Sequence, residues 1–434
     1  MTNNATGLSR TLAWGLALTA TFTMAVSYFD RQALAVLSPV VTRELNFTDE
    51  QYGWLLSAFS GAYLVGSPAA GWLIDRVGAR RGLLGAVLLW SIVAALHAIA
   101  PTYGVLFGLR IALGLTESPS FPGAAQIVHR ALPPADQARA FGILFTGSSF
   151  GAMAAPPIAT FLEARYGFRI AFLGTALVGL IWIPIWLAVA WRPDSRRALD
   201  SHRSAPAEAI NASNNSPELP TARAPRPLEL LADPAVFRAI AVVLAIAPIL
   251  SFGLNWSPKF LTSTYGATMS DIGLYLIIPP LFFDVGAVAF GHFASRRMKL
   301  AGFDGSPPRG LLAMAALLGF SGLLIPFAGS TLGSTLVAGC ALAGGGGLFA
   351  LMTSDMLGRV HPSAVASASG ISAAAQSLAY IVANPLIGMT VDRTKSYTLI
   401  LVALGLWVIP GCALWLLWKP PPLWERRSLS ISVD

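Results

Sequence analysis

Charge is scarce in this chain. Only 12% of its 434 residues are Asp, Glu, Lys or Arg, while 55% are hydrophobic. Soluble domains carry about 25% charged residues, so the composition excludes a water-soluble globular fold and implies an integral membrane protein. Cysteine is scarcer still. Cys340 and Cys412 both fall in apolar runs, which leaves no disulfide framework and no metal-ligand spacing. Of the five histidines, His97, His129, His202, His292 and His361, none pairs with an intramembrane Ser or Cys. No G-x4-GK[ST] phosphate loop occurs, and Gly344 to Gly347 read as a closely packed helix, not a nucleotide loop. These absences argue against an enzyme, a resident cofactor, a metal centre and ATP as energy source.

What the chain has in quantity is apolar stretches long enough to cross about 30 Å of hydrocarbon at 1.5 Å per residue. Six fall at 11–38, 52–74, 82–100, 104–130, 137–162 and 168–191. Six more fall at 236–262, 272–294, 309–328, 332–357, 365–389 and 397–418. The first stretch is too long for a cleaved signal and reads as a retained anchor. Residues 192–235 are rich in Pro, Ser, Asn and charge and read as a largely disordered linker. The expected layout is an all-α membrane protein: a six-helix bundle over 1–191, the linker 192–235, a second six-helix bundle over 236–418, and a tail over 419–434. The net charge of +8 is a matter of topology. With the N-terminus inside, most Lys and Arg sit on inner segments; the outer ones are Arg43, Arg165, Arg169, Lys259, Arg393 and Lys395. That asymmetry places both termini and the linker in the cytoplasm, makes the chain a multi-pass inner (plasma) membrane protein in contact with lipid, and removes nucleic acid as a partner.

Four charges interrupt the apolar runs. Asp30 and Arg31 are adjacent in the first stretch, and Arg110 and Glu117 lie two turns apart on one face of the fourth. Each costs at least ~2.5–3.5 kcal/mol near the bilayer centre, so such residues face an interior or a watery cavity and have partners. If the first helix ends near Ser38 and the fourth begins near Gly104, Asp30 and Arg110 lie at similar depth and are expected to form an ion pair. Arg31 is then left without a local counter-ion, suited to gripping a substrate carboxylate with its fork. Glu117, about 10 Å deeper, is the natural proton-exchanging group. A static polar clamp between the two helices would need fewer charges than four.

After the second apolar stretch comes GWLIDRVGARRG (Gly71, Asp75, Arg76, Gly78, Arg80, Arg81), and at the corresponding place in the second half comes GHFASRRMK (Gly291, Ser295, Arg296, Arg297). The first matches the loop 2–3 signature G-x-L-x-D-R-x-G-x-R-R of the major facilitator superfamily, and two six-helix halves fit its parallel repeat. Within that superfamily the chain resembles the anion:cation symporters, and most of all their bacterial sugar-acid branch. The resemblance rests on Tyr28, Asp30 and Arg31, on Arg110-x6-Glu117, on GSSFGAMAAPP (147–157) and on Asn384-Pro385. It implies the major facilitator fold, with Asp30 and Glu117 as proton sites, Arg31 as carboxylate anchor and Arg110 as the partner of Asp30. The loop signature (Gly71, Asp75, Arg76, Gly78, Arg80, Arg81) implies gating, not binding. Drug antiporters of the superfamily carry Gly-x3-Gly-Pro in helix 5; here Gly147 and Gly151 are followed by Ala152, which favours uptake.

Mid-depth polar and aromatic groups complete the expected pocket: Tyr28, Tyr63, Asn255, Trp256, and Gln376, Tyr380 and Asn384 on one helical face. The alternative for each is polar glue between helices. Asp284 is a lone acid in the eighth stretch, open between a hydrogen-bonded carboxyl and an extra ion or proton site. Asp355, four residues before Arg359, reads as a surface i,i+4 pair. The expected function is proton-driven uptake of an organic anion such as a hexuronate or hexonate by a monomeric carrier. Another monocarboxylate or aromatic acid, sodium coupling and a non-transporting anion sensor stand as alternatives.

Overall fold

The computed structural model describes residues 8–200, 227–301, 309–357, 359–360 and 365–418. The regular structure of those residues is helical throughout: α1 (Arg10–Glu44), α2 (Asp49–Val77), α3 (Ala79–Leu96), α4 (Tyr103–Glu117), α5 (Ser120–Ala131), α6 (Pro134–Ala190), α7 (Pro193–Asp200), α8 (Pro227–Leu231), α9 (Pro234–Ser251), α10 (Ser257–Tyr265), α11 (Met269–Tyr275), α12 (Ile278–Ala301), α13 (Arg309–Phe320), α14 (Thr331–Leu357), α15 (Val365–Thr394) and α16 (Thr398–Leu417). Nine helical stretches among the described residues are long and apolar enough to cross a bilayer. One of these, Ala140–Ala190, lies within α6, whose 57 residues would run about 86 Å unbroken, far beyond any bilayer. Gly167 breaks it, adopting φ 80° and ψ 166°, a backbone region open to glycine.

Prolines interrupt several helices, and four of the carbonyls they orphan find side-chain donors. Proline has no N–H for the carbonyl four residues back. The Ser38 hydroxyl donates to Ala35 O (2.7 Å) beneath Pro39, and the Ser118 hydroxyl to Leu115 O (2.8 Å) beneath Pro119. Under Pro248, Leu244 O accepts from the Trp407 indole (3.0 Å), and under Pro385, Ile381 O accepts from Ser57 (2.8 Å). α1 runs through Pro39 to Glu44 instead of stopping near Ser38. At Pro119 the chain does break, so Glu117 is the last residue of α4.

Within each half α1 packs on α6 and α12 on α14, while α2 lies along α15, α11 against α6 and α10 against α1 across the two halves. Gly147 and Gly151 let α6 lie directly on α1, where a Cβ would collide with the carbonyl oxygens of Thr21 and Ala25. The apolar core is split unequally. One cluster joins the C-terminal helices to residues 33–56, 98–106 and 159–172 of the N-terminal ones. The other, built from residues 8–26, 74–94, 113–144 and 176–199, belongs to the N-terminal helices alone. The two sets of helices therefore share a core at the end that carries Leu45 and Tyr397.

The flanks of the largely disordered linker expected over 192–235 are helical, in α7 and α8. Proline at the start of each helix and Asp194 or Glu229 in the first turn favour them locally. Residues 201–226, the body of the expected linker, and the tail 419–434 lie outside the described residues.

Candidate functional site

The longer α1 changes the register of the buried charges. Arg31 lies 13 residues before Glu44, about 20 Å along the helix, and Glu117 lies 14 residues after Tyr103, about 21 Å. The two therefore meet at one depth. Arg31 Nε donates to Glu117 Oε2 at 2.7 Å, and Ser27, one turn earlier on the same face of α1, donates to the same oxygen at 2.9 Å. Glu117 is wholly buried, and the Arg31 side chain is 18% exposed. Three rings surround the guanidinium: Tyr28 at 4.7 Å, Phe59 at 5.0 Å and Tyr63 at 4.5 Å. Such rings favour a cation through their quadrupoles. Arg31 Nη2 and Glu117 Oε1 are buried without a hydrogen-bond partner. The expectation that Arg31 lacks a counter-ion is thus corrected: its counter-ion is Glu117.

The expected Asp30–Arg110 contact is corrected as well. Both residues are buried, at 3% and 2% exposure. Among the described residues, however, no ion pair within 4.0 Å joins them, and Asp30 Oδ1, Asp30 Oδ2 and Arg110 Nε have no hydrogen-bond partner. Asp30 remains within electrostatic reach of Glu117 and Arg110. The physical reason is again the length of α1, which slides Asp30 deeper than the level of Arg110, seven residues into α4. The centre of the N-terminal bundle is therefore one closed pair plus two charged groups with hydrogen-bonding capacity to spare.

The C-terminal helices contribute neutral groups. Gln376 Nε2 donates to the Tyr380 hydroxyl (3.2 Å), and Tyr380 lies within electrostatic reach of Tyr28 and Arg31 across the interface. Asn384 behaves differently. Its Oδ1 accepts from Ser251 (2.8 Å) and the Trp256 indole (3.0 Å), and its Nδ2 donates to Tyr380 O (2.9 Å). At 1% exposure, with donor and acceptor both engaged, Asn384 bolts α15 to the π-helical turn Phe252–Trp256, and Trp256 is its buried partner. Asn255, on the same turn, donates to Ser251 Oγ (3.3 Å) and accepts from the Tyr52 hydroxyl through its carbonyl (2.6 Å). Asp284 is half-buried and accepts from Ser149 of α6 across the bundle interface at 2.7 Å. Asp355 pairs with Arg359 at 2.8 Å, as its i,i+4 spacing foretells, yet it is buried and also held by Arg238 of α9 at 3.1 Å. The surface location expected for it is therefore corrected.

The loop signature is only partly described. Gly71 lies within the last two turns of α2 and Gly78 caps its end at φ 85°, and Arg76 stacks on Trp72 at 3.9 Å; the Asp75 side chain is not among the described ones. Arg81 is exposed, whereas Arg80 is buried, lies on the Trp191 ring at 4.4 Å and forks onto Asp200 of α7 at 2.5–3.1 Å. That hydrogen bond holds the Asp200 carboxyl below the usual carboxylate range. Sequence reasoning missed Ser27, Phe59, Tyr52, Ser251 and Asp200. Ser27 precedes Arg31 by one turn and Phe59 precedes Tyr63 by one turn, so i,i+4 spacing was the available signal for both.

An all-helical fold of two bundles, crossed by many apolar helices and carrying its unsatisfied charges at mid-depth, is that of a multi-pass membrane transporter and not of an enzyme. The chain belongs to the Major Facilitator Superfamily, whose sequence pattern matches residues 20–377. It is 26% identical over 387 residues to the hexuronate transporter of Escherichia coli (strain K12), with 88% of each chain covered. It is 30% identical over 312 residues to the D-galactonate transporter of Escherichia coli O6:H1, covering 68% of this chain and 71% of that one. Among solved structures it resembles an inward-facing, unoccupied bacterial homologue of the human lysosomal transporter Spinster, with a TM-score of 0.75 at 16% identity over 95% of this chain and all of that one. The nucleoside transporter NupG gives 0.71 at 12% identity over 93% of this chain and all of that one.

Proposed function

We propose that the chain is a proton-coupled symporter that imports a sugar acid of the hexuronate or aldonate class. The observation that carries this reading is the Arg31–Glu117 pair. One guanidinium has its Nε committed to a carboxylate and its Nη2 uncommitted, inside a cage of aromatic rings. A substrate carboxylate that docks on the Nη edge brings a second anion to the same cation. Two carboxylates at one guanidinium repel, and a proton on Glu117 relieves that repulsion while leaving Ser27 and Arg31 in place. Binding of the anion and uptake of a proton thereby favour one another. Asp30, buried without a hydrogen-bond donor, is a second proton site, because a proton removes a charge that the membrane interior penalises. Tyr28, Tyr63, Gln376 and Tyr380 supply hydroxyl and amide partners for a polyol, and the sugar-acid relatives agree with that chemistry.

In this reading all twelve apolar stretches cross the membrane with both termini and the linker in the cytoplasm, following the Lys and Arg asymmetry. The shared core then lies at the outer face, the bundles separate toward the cytoplasm, and the conformation is inward-facing. Residues 1–191 and 236–418 act as the two moving bodies of a monomeric carrier, and the Gly71–Arg81 loop acts as a gate at the inner ends of α2 and α3.

Uptake of labelled hexuronates and aldonates into proteoliposomes, with and without an inward pH gradient, tests the proposal. Accumulation that follows the pH gradient and collapses with a protonophore is expected. Uptake that ignores protonophores and requires sodium would refute proton coupling.

A further inference from the structure

At the end of the molecule where the two bundles share a core, a carboxylate of one bundle caps a helix of the other. The first three N–H groups of any α-helix have no partner within it. In α2 the third, Gln51, is capped locally by the Thr48 hydroxyl at 3.2 Å. The first two are capped from the opposite bundle: Asp392 of α15 accepts from Asp49 N (3.2 Å) through Oδ1 and from Glu50 N (2.7 Å) through Oδ2. A carboxylate on a helix N-terminus is favoured by hydrogen bonding and by the helix dipole together.

Three further contacts close the same seam. Lys259 of α10 pairs with the Asp49 side chain, the ion pair being 11% and 20% exposed on its two sides. The Tyr52 hydroxyl donates to the Asn255 carbonyl in the π-helical turn, and Ser57 donates to the carbonyl that Pro385 leaves free. Every one of these bonds runs between bundles. Lys259 also offsets the repulsion among Asp49, Glu50 and Asp392, the acids gathered at this end of α2.

We infer that Asp392, through its cross-bundle cap of α2, is the latch of this seam and a positioning residue for transport. Its two bonds must break before the bundles part at this end, so the latch sets the population of the closed state. Water can replace each lost bond, so opening is modulated and not blocked. With the orientation proposed above, the latch guards the outer face; the latch itself follows from the contacts and holds for either orientation.

The test uses a reporter in a separate part of the closed seam. Thr160 is 5% exposed, and a Cβ on Gly273 of α11 would collide with its hydroxyl. Thr160→Cys is placed on a background in which Cys340 and Cys412 are replaced by Ala, and its rate of labelling by a membrane-impermeant maleimide is measured with reagent on each face of oriented vesicles. Losing the charge on Asp392 removes a charge-assisted bond, so Asp392→Asn is expected to label about tenfold faster. Asp392→Glu, which keeps the carboxylate, should stay close to the parent rate. Lys259→Gln loosens the same seam from the other bundle and should also accelerate labelling, which keeps the test decisive if Asp392→Asn fails to fold. Parent-rate labelling in Asp392→Asn, or in Lys259→Gln where the former does not fold, overturns the latch. Equal acceleration by Asn and Glu at 392 overturns it too, since that pattern reflects loosened packing. Acceleration only with reagent on the face assigned as cytoplasmic supports the latch and refutes the proposed orientation.

Discussion

Both bundles bury an arginine against an indole. In the N-terminal bundle Arg80 lies on Trp191 and forks onto Asp200; in the C-terminal bundle Arg238 lies on Trp415 at 3.8 Å and pairs with Asp355. These sites lie toward helix ends, and each arginine has an acid at contact. At mid-depth the bundles part ways. The N-terminal one holds Asp30, Arg31, Arg110 and Glu117, with polar atoms on each that have no partner. The C-terminal one offers Gln376, Tyr380 and Asn384, along with a single acid, Asp284, that is bonded to a serine. Arg238 also buries Nε and Nη1 without a hydrogen-bond partner, so depth and the grouping of four charges, more than unsatisfied atoms alone, set the mid-depth cluster apart as the one available to a ligand and a proton.

The largest expected effect tests that division directly. Arg31→Ala should lose substrate binding by at least about 10²-fold, because two charge-assisted hydrogen bonds vanish at once. Arg31→Lys should recover little, since an ammonium lacks the fork. Binding by the purified variants decides it, and near-normal affinity in the Lys variant would move the carboxylate anchor out of the N-terminal bundle.

Glu117→Gln should abolish accumulation against a gradient while leaving counterflow exchange intact. Exchange needs no net proton release, and the amide mimics the protonated acid. Parent-like accumulation would leave Asp30 as the coupling group.

Asp355→Asn should behave in the opposite way. It strips Arg238 of its partner in a buried pair, with a loss of about 3–5 kcal/mol seen as a lowered thermal midpoint, while the protein that remains folded transports normally. A variant that folds well and fails to transport would erase the contrast between the bundles.

Smaller effects sharpen the picture. Tyr380→Phe removes one neutral hydrogen bond, worth about 1 kcal/mol, so KM should rise about fivefold or less with little change in maximal rate. The Asp200–Arg80 fork contributes a modest pH dependence. Its carboxyl titrates below the usual range because Arg80 hydrogen-bonds the charged form. The stability it adds is therefore present above the ordinary Asp value near 4 and is lost as pH falls through the depressed one. Asp200 is 40% exposed and screened accordingly, so Asp200→Asn should lower the melting temperature slightly at neutral pH and remove the acid-dependent part of the curve.

The chain itself determined a great deal: membrane residence, the helical stretches, the four buried charges and the loop signature all follow from apolar run length and from the cost of a charge in hydrocarbon. Residue identity and helical period carry that information locally. Which charge meets which was decided by tertiary structure. α1 runs through Pro39 for six residues beyond Ser38, about 9 Å, so Glu117 falls beside Arg31 while Asp30 and Arg110 pass out of register. The same holds for Asn384, whose spacing marks it as pocket-lining and whose neighbours Ser251 and Trp256 make it a bolt, and for Asp392, which nothing in its own stretch of sequence connects to the first turn of α2. A sequence records how far along a helix a residue lies. Only the packing of helices against one another converts that into depth, and at a buried charge the partner at equal depth decides the chemistry.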